Sequence, residues 1–378
     1  MADPAPAGSL LECPHHAAGR CRSCTWLGVP LPEQVARKVA HARALVDRPG
    51  LVWEDPVTQP GSGFRNKAKM AVAGTLENPT LGLVAPDGTG TDLRDCALHS
   101  PALIAAMEPL ARFIGTARLT PYDLPTRTGE LKHLLVTASE AGELMVRFVV
   151  RSREAETRIR KHLPTLRSWL PGVRVVSLNV QPEHKAVLEG PVEIVLSDEV
   201  ALPMQVRTGQ LLLRPQSFFQ TSTAVAAELY ATAARWTEPL APGTVWDLYC
   251  GVGGFARALA APGREVLGVE ISAEAVAAGN ADAPEGVRFT AGDATAFARS
   301  AEVVPDLVVL NPPRRGIGAE LAGWIEASGV PHVLYSSCRA ETMAEDLAVM
   351  ASYTPRRARV LDMFPQTPHQ EVLVLLGR

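Results

Sequence analysis

From about Leu211 onward, short apolar runs alternate with helical segments at regular spacing, and this alternation restricts the possible folds more than any other feature of the chain. Strands are predicted at 244–250, 265–270, 287–293, 306–313 and 332–338. Helices are predicted at 224–236, from Ala273, at 319–327 and at 341–350. Successive β and α segments of this kind build an open parallel sheet with helices on both faces. Two further apolar runs, 357–364 and 371–377, are joined by a short turn. That is too tight for a helical crossover, so the final strand is expected to run antiparallel.

Upstream the pattern changes. Residues 1–12 are rich in Ala, Pro and Gly and are expected to be loose. Across 33–46, apolar residues at Val35, Val39, Ala42 and Val46 recur at helical spacing. From 51 to about 200, strands and helices mix. Residues 134–139 and 143–150 read as strands around a Glu140-Ala141-Gly142 turn, 154–170 as a helix and 173–180 as a strand. The chain thus divides into 1–50, 51–208 and 209–378. Its 47% hydrophobic content excludes global disorder. A net charge of −3 excludes a protein that coats nucleic acid through bulk charge, so any such contact must come from local patches. No apolar run approaches the ~20 residues that span a bilayer. The first residues lack a signal peptide's basic and apolar regions. A cytoplasmic protein is expected, and its six cysteines are not a disulfide framework.

Gly251-Val252-Gly253-Gly254-Phe255-Ala256 follows a predicted strand directly, and Glu270 ends the next one. Glycines let a backbone approach a ligand, and an acid at that place binds ribose hydroxyls. This order of features fits NAD and S-adenosylmethionine equally. Downstream residues separate them. Asn311 follows the fourth strand, Cys338 ends the fifth, and Glu371 begins the last, all at the edge where ligands of such sheets bind. A dehydrogenase has no need of a Cys/Glu pair, whereas methyl transfer to a poorly nucleophilic pyrimidine carbon does. Cys250 is the competing thiol, but small volume beside the glycine turn accounts for it.

Three cysteines, Cys13, Cys21 and Cys24, fall close together, and Cys96 can supply a fourth ligand. Four thiolates hold zinc or an iron–sulfur cluster. His15 and His16 favour zinc, while Arg20 and Arg22 would offset the charge of an all-thiolate cluster.

Taken together, AGRCRSC, GFRNKAKM, RPQSFFQT, DLYCGVGGF, NPPRRGIG, YSSC, DMFP and the EVL around Glu371 resemble the RNA uracil-C5 methyltransferase family over nearly the whole chain. Within it the likeness is to the bacterial branch that modifies uracil 747 of 23S ribosomal RNA. The resemblance implies a Rossmann-like class I methyltransferase fold at 209–378, a mixed α/β RNA-binding unit at 51–208, and an iron–sulfur region at 1–50 completed by Cys96. It implies S-adenosylmethionine held by Gln220, Tyr249, Gly251, Gly253, Glu270 and Asn311. It implies a [4Fe-4S] cluster on Cys13, Cys21, Cys24 and Cys96, with Cys338 as nucleophile and Glu371 as base. The partner it implies is 23S ribosomal RNA rather than DNA or a membrane, acted on by a monomer. Tyr249 stands where the family commonly has Phe. Arg65, Lys67, Lys69, Lys132, Arg314 and Arg315 are candidate RNA contacts, each of which could equally be a solvated basic face. Two other readings are a non-catalytic RNA-binding protein with a methyltransferase fold, and an enzyme of another 23S or transfer-RNA uracil.

Overall fold

The computed structural model describes residues 10–207 and 209–378, so most of the segment expected to be loose at 1–12 lies outside the described residues. The N-terminal part holds a single turn, α1 (Pro14–Ala17), then α2 (Leu31–Val46) and the short β1 (Val52–Trp53). Next come β2 (Lys67–Gly74), β3 (Pro79–Val84), β4 (Gly90–Asp92), α3 (Pro101–Thr116), β5 (Leu131–Ala138), β6 (Leu144–Val150), α4 (Ala155–Trp169), β7 (Val173–Val180) and β8 (Val192–Val195). These strands form a seven-stranded sheet in the order β4-β3-β2-β5-β6-β7-β8. Its apolar face, including Met70, Val136 and Phe148, packs on Leu110 and Ile114 of α3 and Ile159 of α4.

A hairpin of β9 (Leu202–Val206) and β10 (Gly209–Leu213) follows. The division expected at 208/209 runs between these two paired strands, whose apolar residues pack on α5 (Thr223–Thr237). Thereafter the chain alternates β11 (Thr244–Leu248), α6 (Gly254–Ala258), β12 (Glu265–Glu270), α7 (Ala273–Ala281), β13 (Val287–Ala291), α8 (Ala294–Ser300), β14 (Leu307–Leu310), α9 (Gly318–Ser328), β15 (His332–Ser337) and α10 (Ala340–Val349). It ends with β16 (Thr354–Leu361) and β17 (Glu371–Gly377). Several of these helices start where the sequence provides a cap. Ser222, Ser272 and Asp293 accept from the backbone N–H of Val225, Ala275 and Ala296.

The second large sheet has eight strands in the order β1-β16-β17-β15-β14-β11-β12-β13. β11 to β15 are parallel, and β17 is antiparallel to both of its neighbours, as expected. Apolar clusters cover both faces. α5 and α6 lie on one, and α2, α9 and α10 on the other.

Three expectations are corrected. β16 and β17 are joined by residues 362–370, which is not a short turn. Residues 52–53, placed by the sequence in the central region, lie parallel to β16 on the edge of the C-terminal sheet. In α2 the fully buried stripe is Gln34, Lys38, Ala42 and Val46, one residue off the expected Val35 and Val39. Two polar side chains are buried there because they bond to the 362–370 connection, as described below.

Candidate active site

β11 leads through α6 to β12 on one side, and after β13 the chain crosses back to place β14 on the other side of β11. Such a reversal opens a crevice outside the carboxyl ends of the strands. Register sets what stands there. Leu248 pairs with Val269 and with Leu310, Leu310 with Tyr335, and Ser337 with Val372. Glu270, Tyr249, Asn311 and Cys338 therefore lie along one edge, and Glu371 enters the same edge at the start of its antiparallel strand. At ~4.8 Å per strand, Glu270 and Cys338 are about 14 Å apart across the edge.

Tyr249, Gly251 and Gly253 all have left-handed backbones, with φ of 65°, 55° and 81°. Only the tyrosine carries the steric cost, which marks a strained residue at the mouth of the crevice. A Cβ added to Gly251 would meet nothing within 4 Å, whereas one on Gly253 would lie 2.5 Å from the Phe289 ring and one on Gly254 2.3 Å from that of Tyr230. One glycine of the turn thus faces open space, and two serve close packing. The Glu270 carboxylate accepts from the backbone N–H of Gly251 and of Ser272, each at 3.0 Å. Beneath the turn, Asp247 is fully buried and accepts from Ala256 N–H at 2.9 Å, while its Oδ1 has no partner. Burial, reinforced by Glu270 and opposed by the Ala256 N–H, pushes its pKa up to about 8. Ile271 and Phe218 are exposed apolar side chains, at 77% and 67%, beside Glu270 and near Gln220. Gln220 itself is buried, and its carbonyl accepts from Asn66 Nδ2 at 2.9 Å.

Cys338 and Glu371 come together at the β15–β17 junction. Glu371 is buried and accepts from the Ser336 hydroxyl. Burial outweighs that bond and pushes the carboxyl up to about 7. The half-buried Cys338 thiol is raised by burial and then by Glu371, while Arg314 pulls it down. Arg314 belongs to the loop 311–317, which α10 braces. Asp346 accepts from Ile317 N–H at 3.0 Å, Gly318 N–H at 3.2 Å and the Tyr335 hydroxyl at 2.5 Å. Cys250 is buried beside Asp247 and raised far above an ordinary thiol, first by burial and then by that carboxylate. The sequence reading missed Asp346 and the unpaired Asp247 oxygen. A carboxylate in an apolar strand, TVWDLY, was the available signal for the latter.

In the N-terminal part the thiols of Cys13, Cys21, Cys24 and Cys96 lie near enough to influence one another. Cys24 is pushed up to about 11 by burial, then by Cys96, Cys21 and Cys13, with Arg65 acting against them. His15 Nε2 lies 2.6 Å from Asp95 Oδ1, fastening the first cysteine loop to the segment bearing Cys96. Among the described residues, no group of three or more His, Cys, Asp or Glu side chains is placed to hold a metal ion. Of the other basic candidates, Lys132 is buried against Tyr122 and bonded to Gln181 and the Glu183 carbonyl. Lys67 is largely enclosed, and burial, with Lys69 and Arg147 adding to it, lowers it to about 8. No helix among the described residues is long and apolar enough to cross a membrane.

A family model described as tRNA (Uracil-5-)-methyltransferase matches residues 193–287 and 298–378. The 23S rRNA (uracil(747)-C(5))-methyltransferase RlmC of Escherichia coli O139:H28 is 44% identical over 372 residues, covering 97% of this chain and 99% of the relative. The protein of the same name from Yersinia pseudotuberculosis serotype I is 46% identical over 373 residues, with the same coverage. The fold is that of the Pyrococcus abyssi tRNA (uracil-54, C5)-methyltransferase, solved with S-adenosyl-L-homocysteine. Their TM-score is 0.76 at 22% identity, over 93% of this chain and 85% of that one. With relatives 44–46% identical over 97% of its length, the chain belongs to the uracil-C5 RNA methyltransferase family.

Proposed function

We propose that this chain methylates C5 of a uracil in 23S ribosomal RNA, at the position numbered 747 in its relatives, with S-adenosylmethionine as donor. The observation that carries the reading is the pairing of Cys338 with the buried Glu371 at the end of a crevice lined by Glu270, Tyr249 and Asn311. The names of relatives at 44–46% identity support the substrate. The crevice suits the donor molecule. Glu270 is positioned for ribose hydroxyls, and Gly251 leaves room for close approach. Gln220, Gly253 and Asn311 complete the set. When bound, S-adenosylmethionine supplies an electrophilic methyl group.

Cys338 adds through sulfur to uracil C6, and the electron pair of the 5,6 double bond moves toward C5 and the O4 carbonyl. C5 then takes the methyl. Glu371 accepts the remaining C5 proton, the double bond re-forms, and the C6–S bond breaks to return the thiolate. Arg314 favours the thiolate that starts the cycle. A carboxyl near 7 is matched to taking a proton around neutral pH. Addition at C6 requires an unstacked base, whose extrusion costs a few kcal/mol.

We read the four thiols as ligands of an iron–sulfur cluster, a reading that the mutual influence of Cys24, Cys96, Cys21 and Cys13 supports. A single zinc needs donors converging at about 2.3 Å on one point, whereas in a four-iron cubane each thiolate takes its own iron. Cys13, Cys21, Cys24 and Cys96 would hold it, with Arg65 offsetting their charge. Its contribution would be structural, since methyl transfer has no redox step. The assignment is tested by iron and sulfide content after anaerobic purification. Stoichiometric zinc without iron would exclude it.

Deletion and complementation of the gene, with mass mapping of 5-methyluridine, tests the function. Loss and recovery of one methyl group in 23S RNA is expected. The family model's description and the tRNA enzyme of the same fold favour transfer RNA as the second reading, and methyl loss confined to transfer RNA would select it.

A further inference from the structure

Residues 362–370 join β16 to β17 and deliver Glu371 to the edge. The connection bonds little to itself. Its Thr367 hydroxyl donates to the Phe364 carbonyl at 2.8 Å and accepts from His369 N–H at 3.3 Å. Its long-range hydrogen bonds run instead to residues 26–61.

Gln366 shows this most fully. It is buried, with a left-handed φ of 69°. Its N–H donates to Gln34 Oε1 at 2.7 Å, and its carbonyl accepts from Trp26 N–H at 2.9 Å. Its Oε1 accepts from Gln34 Nε2 at 3.0 Å, and its Nε2 donates to the Gly61 carbonyl at 3.3 Å. One helical turn along α2, Lys38 donates to Asp362 Oδ1 at 2.6 Å and to the Phe364 carbonyl at 3.0 Å. Gln59 Nε2 donates to the Asp362 carbonyl at 2.8 Å. Gln34 and Lys38 are 0% and 1% exposed. A buried amide and a buried ammonium are costly to place on a packed helix face, where leucine would serve for packing alone. Their partners lie on the strap that leads into Glu371.

We propose that Gln34 and Lys38 are positioning residues for Glu371: together with Trp26 they clamp the 362–370 strap and so fix the carboxylate against Cys338. This rests on the reading of Glu371 as the base that takes the C5 proton. The clamp acts on the last step of the cycle. Cys338 follows β15, which is also held on its other side by β14, so addition and methyl transfer should proceed without the clamp.

The test uses the full-length protein and an RNA hairpin containing the target uracil. Gln34→Ala and Gln366→Gly are compared with wild type and Glu371→Gln. Gln366→Gly guards against misfolding, because glycine relieves the left-handed backbone while removing two side-chain bonds. Amide hydrogen exchange should quicken about tenfold or more across 362–371 in both clamp variants and stay unchanged in β11–β14. Steady-state turnover should fall about tenfold, with S-adenosylhomocysteine affinity and the rate of adduct formation on 5-fluorouridine RNA within about twofold of wild type. A methylated protein–RNA adduct should build up on ordinary uridine RNA. Unchanged exchange would overturn the clamp, whatever Glu371 does. Faster exchange with equal slowing of every step, or with normal turnover, would overturn the positioning role. If Glu371→Gln itself accumulates no adduct, the reading of Glu371 as base fails, and the positioning role with it.

Discussion

In the eight-stranded sheet the polar side chains of the candidate site stand where strands end, whereas in the seven-stranded sheet a polar network lies across the buried face turned away from α3 and α4. On that face, Arg147 of β6 neighbours Ser177 of β7, and Asn179 neighbours Glu193 of β8. Arg147 donates to Glu193 Oε2 and Glu189 Oε2, each at 2.7 Å, and Ser177 and Asn179 donate to the same Glu193. This network satisfies itself. At the strand ends of the other sheet Cys338 stands half-buried beside Glu371, and the exposed Ile271 flanks Glu270. Polar residues on a face must answer one another because neighbouring strands fix their spacing. At strand ends the loops spread them far enough apart to admit a ligand.

The contrast can be broken most sharply at its catalytic end. Cys338→Ala should lower turnover by ~10³-fold or more and abolish the adduct on 5-fluorouridine RNA, with S-adenosylhomocysteine affinity and melting temperature little changed. A variant that still forms the adduct would move the nucleophile elsewhere. Arg147→Met should do the reverse. It strands two carboxylates on the buried face and should cost about 3–5 kcal/mol in denaturant unfolding, while each folded molecule turns over normally. An unaltered unfolding midpoint would mean that the face network carries no weight.

Glu371 allows a finer cut, since a buried carboxyl is held there at the expense of stability. In the folded state it holds its proton up to about pH 7, against 4.5 in an ordinary environment. The folded chain therefore binds more protons between these values, and stability falls as pH rises through that window. Glu371→Gln should be nearly neutral below pH 4.5 and stabilising by about 3 kcal/mol above pH 7. Equal stability of the two proteins at pH 8 would show that the carboxylate is compensated. The smallest effect belongs to the lysines. Lys69→Gln should reduce the slope of log affinity for RNA against log salt by about one unit if it meets a phosphate. An unchanged slope would assign it to the solvated face.

Much of the C-terminal sheet was legible because apolar runs and glycine turns are local signals. The strand 265–270 follows from spacing alone, and the last strand was rightly expected to be antiparallel although the turn assumed for it is the longer connection 362–370, still too short for a helical crossover. The carboxyl-edge residues were legible for the same reason, since a strand's end fixes which edge its next residue joins. What stayed hidden depends on long-range pairing. Gln34 and Lys38 were not singled out, because only the folded strap makes them inward-facing. Asp346 was missed because its donors come from the distant 311–317 loop and Tyr335. Lys132 read as a free cation although it is spent on Gln181 and Tyr122. Phe218 and Phe219 are adjacent and alike in sequence, yet one is 67% exposed and the other 5%.

The position of β17 between β15 and β16 governs the order in which the protein can assemble. β16 is made before β17 but has no partner among β11–β15, and β1 pairs only with β16. The parallel core can form as synthesis proceeds, but β16, β1 and the α2 segment must wait for β17. Pairing Val52 with Arg357 then closes a loop of about three hundred residues, an entropically slow step. The early-made α2 is thus among the last pieces to dock. Until it does, its buried lysine and glutamine are solvated and the 362–370 strap is unsupported, so newly made chains should pass through a stage that can hold the methyl donor before it can complete a turnover.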